Sequence, residues 1–197
     1  MINQSNPPKR IAVYCSSSDH INKDYFTQAD ELGALMAANQ MNLVYGGSMV
    51  GLMGQVAKSI KSHDGHTIGV VPEALHIDGV VNTLDDEQII TPDMHTRKAK
   101  MIELADGFIG MAGGFGTLEE MLEVMTLKQL GYHNKPILFL NTAGFYQDLF
   151  KLFEHIYAEN FAKPEYRQLY HISNTPEEAV AYLNQYQPPQ LPDKWFI

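Results

Sequence analysis

Short, almost wholly apolar runs alternate along this chain with longer amphipathic stretches, and this alternation limits the folds open to it. The runs are Ile11-Ala12-Val13-Tyr14-Cys15 and residues 42–45, 67–71, 107–111 and 136–140. Runs without polar alternation suit strands buried on both faces. Between them, apolar residues recur at helical spacing over 24–40, 51–63, 92–105, 117–130, 145–158 and 175–186. Pro92 is read as opening its helix, where a missing N–H costs nothing, and Gly131 as stopping the helix before it. Brief strands are expected at 88–90 and 170–172, whereas 74–86 has no period. Strands alternating with helices predict an α/β protein: a Rossmann-like three-layer α/β/α domain with a mainly parallel central sheet. Ligands of such sheets bind beyond the carboxyl ends of the strands. That rule points to the loops 16–18, 46–48, 93–98 and 113–117.

The length of 197 residues fits one domain. Its expected limits are 10–186, after a flexible leader (1–9) and before a Pro-rich, irregular tail (187–197). Fourteen basic against 23 acidic side chains leave a formal charge of −9. That balance opposes nucleic-acid binding, which needs a basic face, but allows a small phosphorylated ligand. Cys15 is the single cysteine, so no intrachain disulfide or multi-cysteine zinc site is available. The eight histidines show no metal-binding spacing, and no metal or cofactor is expected. No apolar run nears the roughly 18 residues of a membrane span. The opening segment lacks a signal peptide's apolar core, so a cytoplasmic protein is expected.

The most informative motif is Ala112-Gly113-Gly114-Phe115-Gly116-Thr117-Leu118-Glu119-Glu120, between a predicted strand and a predicted helix. Glycines let a backbone approach a ligand, and the free amides of a helix start attract phosphate. A tight turn that binds nothing is the alternative. The motif is neither G-x-G-x-x-G nor a P-loop. Glu120 has two readings as well. With Thr117 three residues before it, it fits a capping box. Otherwise it is a carboxylate beside a bound sugar.

In the 92–105 helix, Met94, Arg97, Met101 and Leu104 share one stripe, so Arg97 is expected to point inward. An inward guanidinium needs an anion, from a ligand or from the protein. Lys98 falls on a neighbouring face, and His95 lies close to both. The segment Gly46-Gly47-Ser48-Met49-Val50-Gly51-Leu52-Met53-Gly54 is a second glycine turn before a helix. Its Gly47 and Ser48 are candidates for further ligand contacts. The ten methionines are read as core or interface filler.

Together these segments, with Val13-Tyr14-Cys15-Ser16-Ser17-Ser18 and Met94-His95-Thr96-Arg97-Lys98-Ala99-Lys100-Met101, resemble the LOG ("lonely guy") family from about residue 11 to 140. Members of that family are cytokinin riboside 5′-monophosphate phosphoribohydrolases, many first labelled lysine decarboxylases. The resemblance implies hydrolysis of the N-glycosidic bond of adenosine 5′-monophosphate or an N6-modified form, an AMP-nucleosidase-type reaction. It also implies a homodimer with active sites near the interface. On the matching positions it implies Arg97 and Glu120 as the catalytic pair. Gly113, Gly114, Gly116 and Thr117 would hold the phosphate, with Lys98, Glu119 and Thr126 around the substrate. Three positions depart from the family pattern: Ala112 where proline is usual, and Ser16 and Ser48 where glycine is common. The alternative on this scaffold is a non-catalytic carrier of a nucleotide or the molybdenum cofactor. Lysine decarboxylation is rejected, because no motif supplies a Schiff-base lysine and a pyridinium partner.

Overall fold

A seven-stranded parallel sheet in the order β4-β3-β2-β1-β5-β6-β7 forms the centre of the computed structural model, which describes residues 8–193. The strands are β1 (Lys9–Tyr14), β2 (Met41–Tyr45), β3 (Thr67–Pro72), β4 (Glu87–Thr91), β5 (Gly107–Gly110), β6 (Ile137–Leu140) and β7 (His171–Ser173). The helices are α1 (Lys23–Ala38), α2 (Gly51–Ser62), α3 (Met94–Leu104), α4 (Phe115–Gln129), α5 (Gln147–Ala158) and α6 (Pro176–Gln185). The α/β/α reading is met element by element. Residues 1–7 of the expected leader and 194–197 of the expected tail lie outside the described residues.

Alternation along β1 divides the core into two layers. Ile11, Val13 and Cys15 face α1, α2 and α6, where Leu32, Met36, Val56, Ile60 and Leu183 are buried. Ala12 and Tyr14 face the opposite layer, built on Met101, Met121, Val124, Phe150 and Phe153 of α3, α4 and α5. Strands buried on both faces have no polar side, hence the continuous apolar runs in the sequence. The chain winds outward from β1 through β2, β3 and β4, then returns to place β5 on the other side of β1. The loops leaving β1 and β5 therefore diverge, and a crevice opens between them.

Most boundaries shift by one or two residues, Lys9 of the expected leader joining β1, and two of the shifts bear on the site. Helix α3 begins after Asp93, whose carboxylate accepts the Thr96 amide at 2.7 Å; Pro92 stands before this cap rather than inside the helix. Helix α4 begins at Phe115, not Thr117. The stretch without a period, 74–86, is mostly irregular and is held by its side chains and loop contacts. Tyr45 donates its hydroxyl to Asp85 (2.9 Å), Asn82 Nδ2 donates to the Tyr45 oxygen (2.8 Å), and the Asn82 amide donates to Gly47 O (2.8 Å). No helix among the described residues is long and apolar enough to cross a membrane.

At the far end of α4, Lys128 is 1% exposed. Its Nζ donates to Leu169 O (3.0 Å) and to the Tyr186 hydroxyl (2.9 Å). Burial lowers this ammonium to about 8 from 10.5. Above about 8 the folded state releases a proton that the unfolded state keeps until near 10.5, so the lysine's contribution to stability rises with pH across that window. Denaturant titrations of the native chain and Lys128→Met should give a stability difference that shifts toward the native chain between those two values.

Candidate active site

Arg97 leaves the first turns of α3 and runs back over the ends of β2 and β3. Its Nε donates to Val70 O at 3.3 Å. Its Nη2 lies so close to Gly46 that a Cβ there would sit 2.6 Å from it. Nη1 pairs with the carboxylate of Glu120, which reaches across from α4. The two side chains are 11% and 12% exposed, so this ion pair is largely desolvated. Glu120 is held by Arg97 and not by the backbone at the helix start. Because α4 starts at Phe115, Thr117 lies within the helix and is no cap, and the capping-box expectation is corrected. Burial pushes the Glu120 carboxyl above its ordinary range, while the Arg97 guanidinium opposes that rise.

The two glycine turns differ in what their amides do. At the start of α2, Gly51 donates to the Asp19 carboxylate (2.9 Å) and Leu52 to Ser16 O (2.9 Å). The Val50 amide donates to Ser48 Oγ (3.1 Å). The protein has already satisfied that helix start. Helix α4 follows Gly114, which offers no side-chain cap, and the amides of Phe115, Gly116 and Thr117 find no acceptor among the described residues. Uncapped amides at the positive end of a helix dipole suit an anion.

These groups share a cleft of about 500 Å³ at the crevice between β1 and β5. It brings together Arg97, Lys98, Gly114, Gly116, Thr117, Glu119 and Glu120. Lys98 pairs with Glu119 and, at 3.1 Å, with Glu123, and these carboxylates raise its ammonium above the usual lysine range. Gly113 stands directly behind, where a Cβ would collide with the Thr117 hydroxyl. Gly47, Ser48 and Thr126 do not line the cleft. Gly47 and Ser48 hold the 80–82 segment, and Thr126 bonds Leu122 O on the outer side of α4. Cys15, Met53 and Met94 also line the cleft; the sequence reading places Cys15 in a buried strand run and takes the methionines as filler. Met94 was detectable as Arg97's neighbour one turn earlier on the same stripe; its sulfur lies 4.0 Å from Nη1.

A family model described as "Possible lysine decarboxylase" matches residues 53–183. The probable cytokinin riboside 5′-monophosphate phosphoribohydrolase LOGL2 of Oryza sativa subsp. japonica is 39% identical over 180 residues, covering 91% of this chain and 74% of the rice protein. The chain belongs to the LOG family. The LOG-family likeness extends to cytokinin riboside 5′-monophosphate phosphoribohydrolase LOG3 of Arabidopsis thaliana, 38% identical over 94% of this chain and 86% of that protein. Among solved structures, the molybdenum cofactor binding protein from Rippkaea orientalis superposes with a TM-score of 0.69 at 24% identity, covering 91% of this chain and 98% of that one. The Moco carrier protein from Chlamydomonas reinhardtii gives 0.68 at 24%, covering 90% and 96%. At that identity the likeness is one of fold.

Removing one member of a desolvated ion pair leaves the other uncompensated, at a cost of about 3–5 kcal/mol. Arg97→Met should therefore be destabilised at neutral pH. Without the guanidinium, the Glu120 pKa rises further above its unfolded value, so protonation favours the folded state. The deficit should be largest above neutrality and shrink as the medium is acidified toward the ordinary carboxylate range. Thermal unfolding at a series of pH values measures it.

Proposed function

We propose that this chain hydrolyses the N-glycosidic bond of adenosine 5′-monophosphate, with or without a substituent at N6, to free base and ribose 5-phosphate. The reading rests on one juxtaposition: a desolvated carboxylate–guanidinium pair and an uncapped helix start open onto the same cleft. LOG-family relatives bearing the name of that activity support it.

In this reading the 5′-phosphate takes the amides that open α4, beside Gly113, Gly114, Gly116 and Thr117. The ribose then lies over Arg97 and Glu120. As the bond from C1′ to the base breaks, its electron pair leaves with the base, which takes up a proton from solvent, replaced when Glu120 later releases the one it takes from the attacking water. Positive charge builds on the sugar, where the Glu120 carboxylate stabilises the transition state more than the ground state. Water adds to C1′, and Glu120 orients it and accepts its proton. Arg97 keeps the carboxylate ionised in the free site and turns to a phosphate or sugar oxygen when the nucleotide binds. Lys98 and Glu119 complete the wall around the substrate.

Decarboxylation of lysine would need a neutral amine to form a Schiff base. Lys98 is the lysine lining the cleft, and its two carboxylate partners favour the ammonium. The carrier reading draws only on the shared fold.

The proposal includes a homodimer. Phe115 is 92% exposed, and with Leu118 and Leu122 it makes an apolar stripe along the outside of α4 that also carries Thr126. A second copy covering this stripe would bring Thr126 into the surroundings of the site.

Incubation with AMP and with its N6-isopentenyl analogue should release free base from at least one of them. Glu120→Gln should fold and bind nucleotide but lose at least about a hundredfold in rate. Tight binding with no turnover by the native chain would overturn hydrolysis in favour of the carrier. Phe115→Glu should sediment as a monomer where the native chain sediments as a dimer.

A further inference from the structure

Strand β1 ends at Tyr14, whose side chain belongs to the layer under α3 and α4. The Arg97–Glu120 bridge spans this end of the strand. Arg97 is anchored over β2 and β3 at Gly46 and Val70 O. Glu120 comes from α4, whose next residue, Met121, packs on Gly110 of β5. Strand β1 lies between β2 and β5, and Cys15, the residue after Tyr14, lines the cleft that holds the bridge.

Tyr14 is 3% exposed and stacks on Phe108, with ring centroids 6.3 Å apart and planes 6° from parallel. Its hydroxyl has no hydrogen-bond partner among the described residues. Tyr45 and Tyr146, equally buried, donate theirs to Asp85 and to Met111 O. Nor is the Tyr14 oxygen sealed in: the one fully enclosed, unpartnered side-chain polar atom among the described residues is Ser173 Oγ. Beside burial, the charges acting on the phenol line the cleft or, in the case of Glu123, pair with its Lys98. Glu120 acts most strongly, then Arg97, Glu123 and Glu119. Burial and these carboxylates hold the phenol far above its usual range, so it stays a proton donor.

We propose that Tyr14 is a positioning residue whose phenol donates a hydrogen bond to the Glu120 carboxylate when a bound nucleotide draws Arg97 away. The inference rests on the reading of Glu120 as the carboxylate that meets the sugar. A guanidinium that turns to a phosphate or sugar oxygen leaves Glu120 desolvated, and a desolvated carboxylate without a donor takes up a proton. A second donor below it keeps it charged and fixed in orientation. Around Glu120, burial, Arg97 and Lys98 from α3 and Glu119 from α4 act on its carboxyl; Glu123 of α4 holds Lys98, and Tyr14 and Cys15 of β1 feel the Glu120 charge.

Tyr14→Phe keeps the ring and its stack, and removes only the donor. With AMP as substrate, kcat should fall about tenfold at neutral pH with KM unchanged. The acid limb of the kcat profile should move up by about one pH unit. Phe108→Leu, which disrupts the stack but keeps the hydroxyl, should lower the melting temperature and leave that limb in place. Carbon-13 NMR titration of the Glu120 carboxyl, assigned with Glu120→Gln and recorded with a saturating carbocyclic AMP analogue that cannot be hydrolysed, should show the same upward shift in Tyr14→Phe. Superimposable titrations of native and Tyr14→Phe chains would overturn the proposal. A shifted titration in a protein that releases no base would uphold the hydrogen bond and place the failure in the hydrolase reading instead.

Discussion

A guanidinium and a carboxylate, both nearly out of water, join α3 to α4 across the carboxyl end of the sheet. Much else around the cleft follows from that contact. Arg97 can reach Glu120 only because Gly46 leaves room beside Nη2 and Val70 O fixes Nε. Glu120 reaches the pair from the second turn of α4, which starts at Phe115. Desolvation makes the pair costly to form and costly to break from one side only. Such an arrangement suits chemistry better than simple stapling, for which an apolar contact would serve.

The two strand–glycine–helix turns look alike in sequence, yet the fold uses them in opposite ways. At α2, the loop after β1 wraps down, and Asp19, Ser16 and Ser48 occupy the first amides. That turn fixes one wall of the crevice. At α4 the first amides stay open toward the crevice. One glycine turn thus spends its amides on the scaffold, while the other keeps them open.

The architecture was legible because β1, β2, β3, β5 and β6 are apolar runs that only a doubly covered parallel sheet can bury. The switch-point rule then indicated the right end of the sheet. Arg97 was legible from its place on an apolar stripe. What could not be read were facts that local pattern does not carry. Asp93 outcompetes Pro92 as the start of α3 because a carboxylate can accept the Thr96 amide. The 74–86 segment has no period because Tyr45, Asn82 and Asp85 organise it by hydrogen bonds rather than by a repeating apolar face. Gly47 and Ser48 resembled ligand contacts because a glycine serving close packing has the same letters as one serving an anion. Met53 and Met94 have the composition of core residues, and only the tertiary fold sets them at the cleft.

Helix α4 opens at the cleft and ends at Lys128, whose ammonium is moored to Leu169 O and to Tyr186. A rod fixed at its distal end cannot slide lengthwise without tearing that mooring. The C-terminal part of the chain, remote from every group that would meet a nucleotide, therefore sets the axial position of the open amides and of Glu120. Loosening at residue 169 or 186 would be felt at the other end of the rod as a change in reach, much as a shifted pivot alters the swing of a lever.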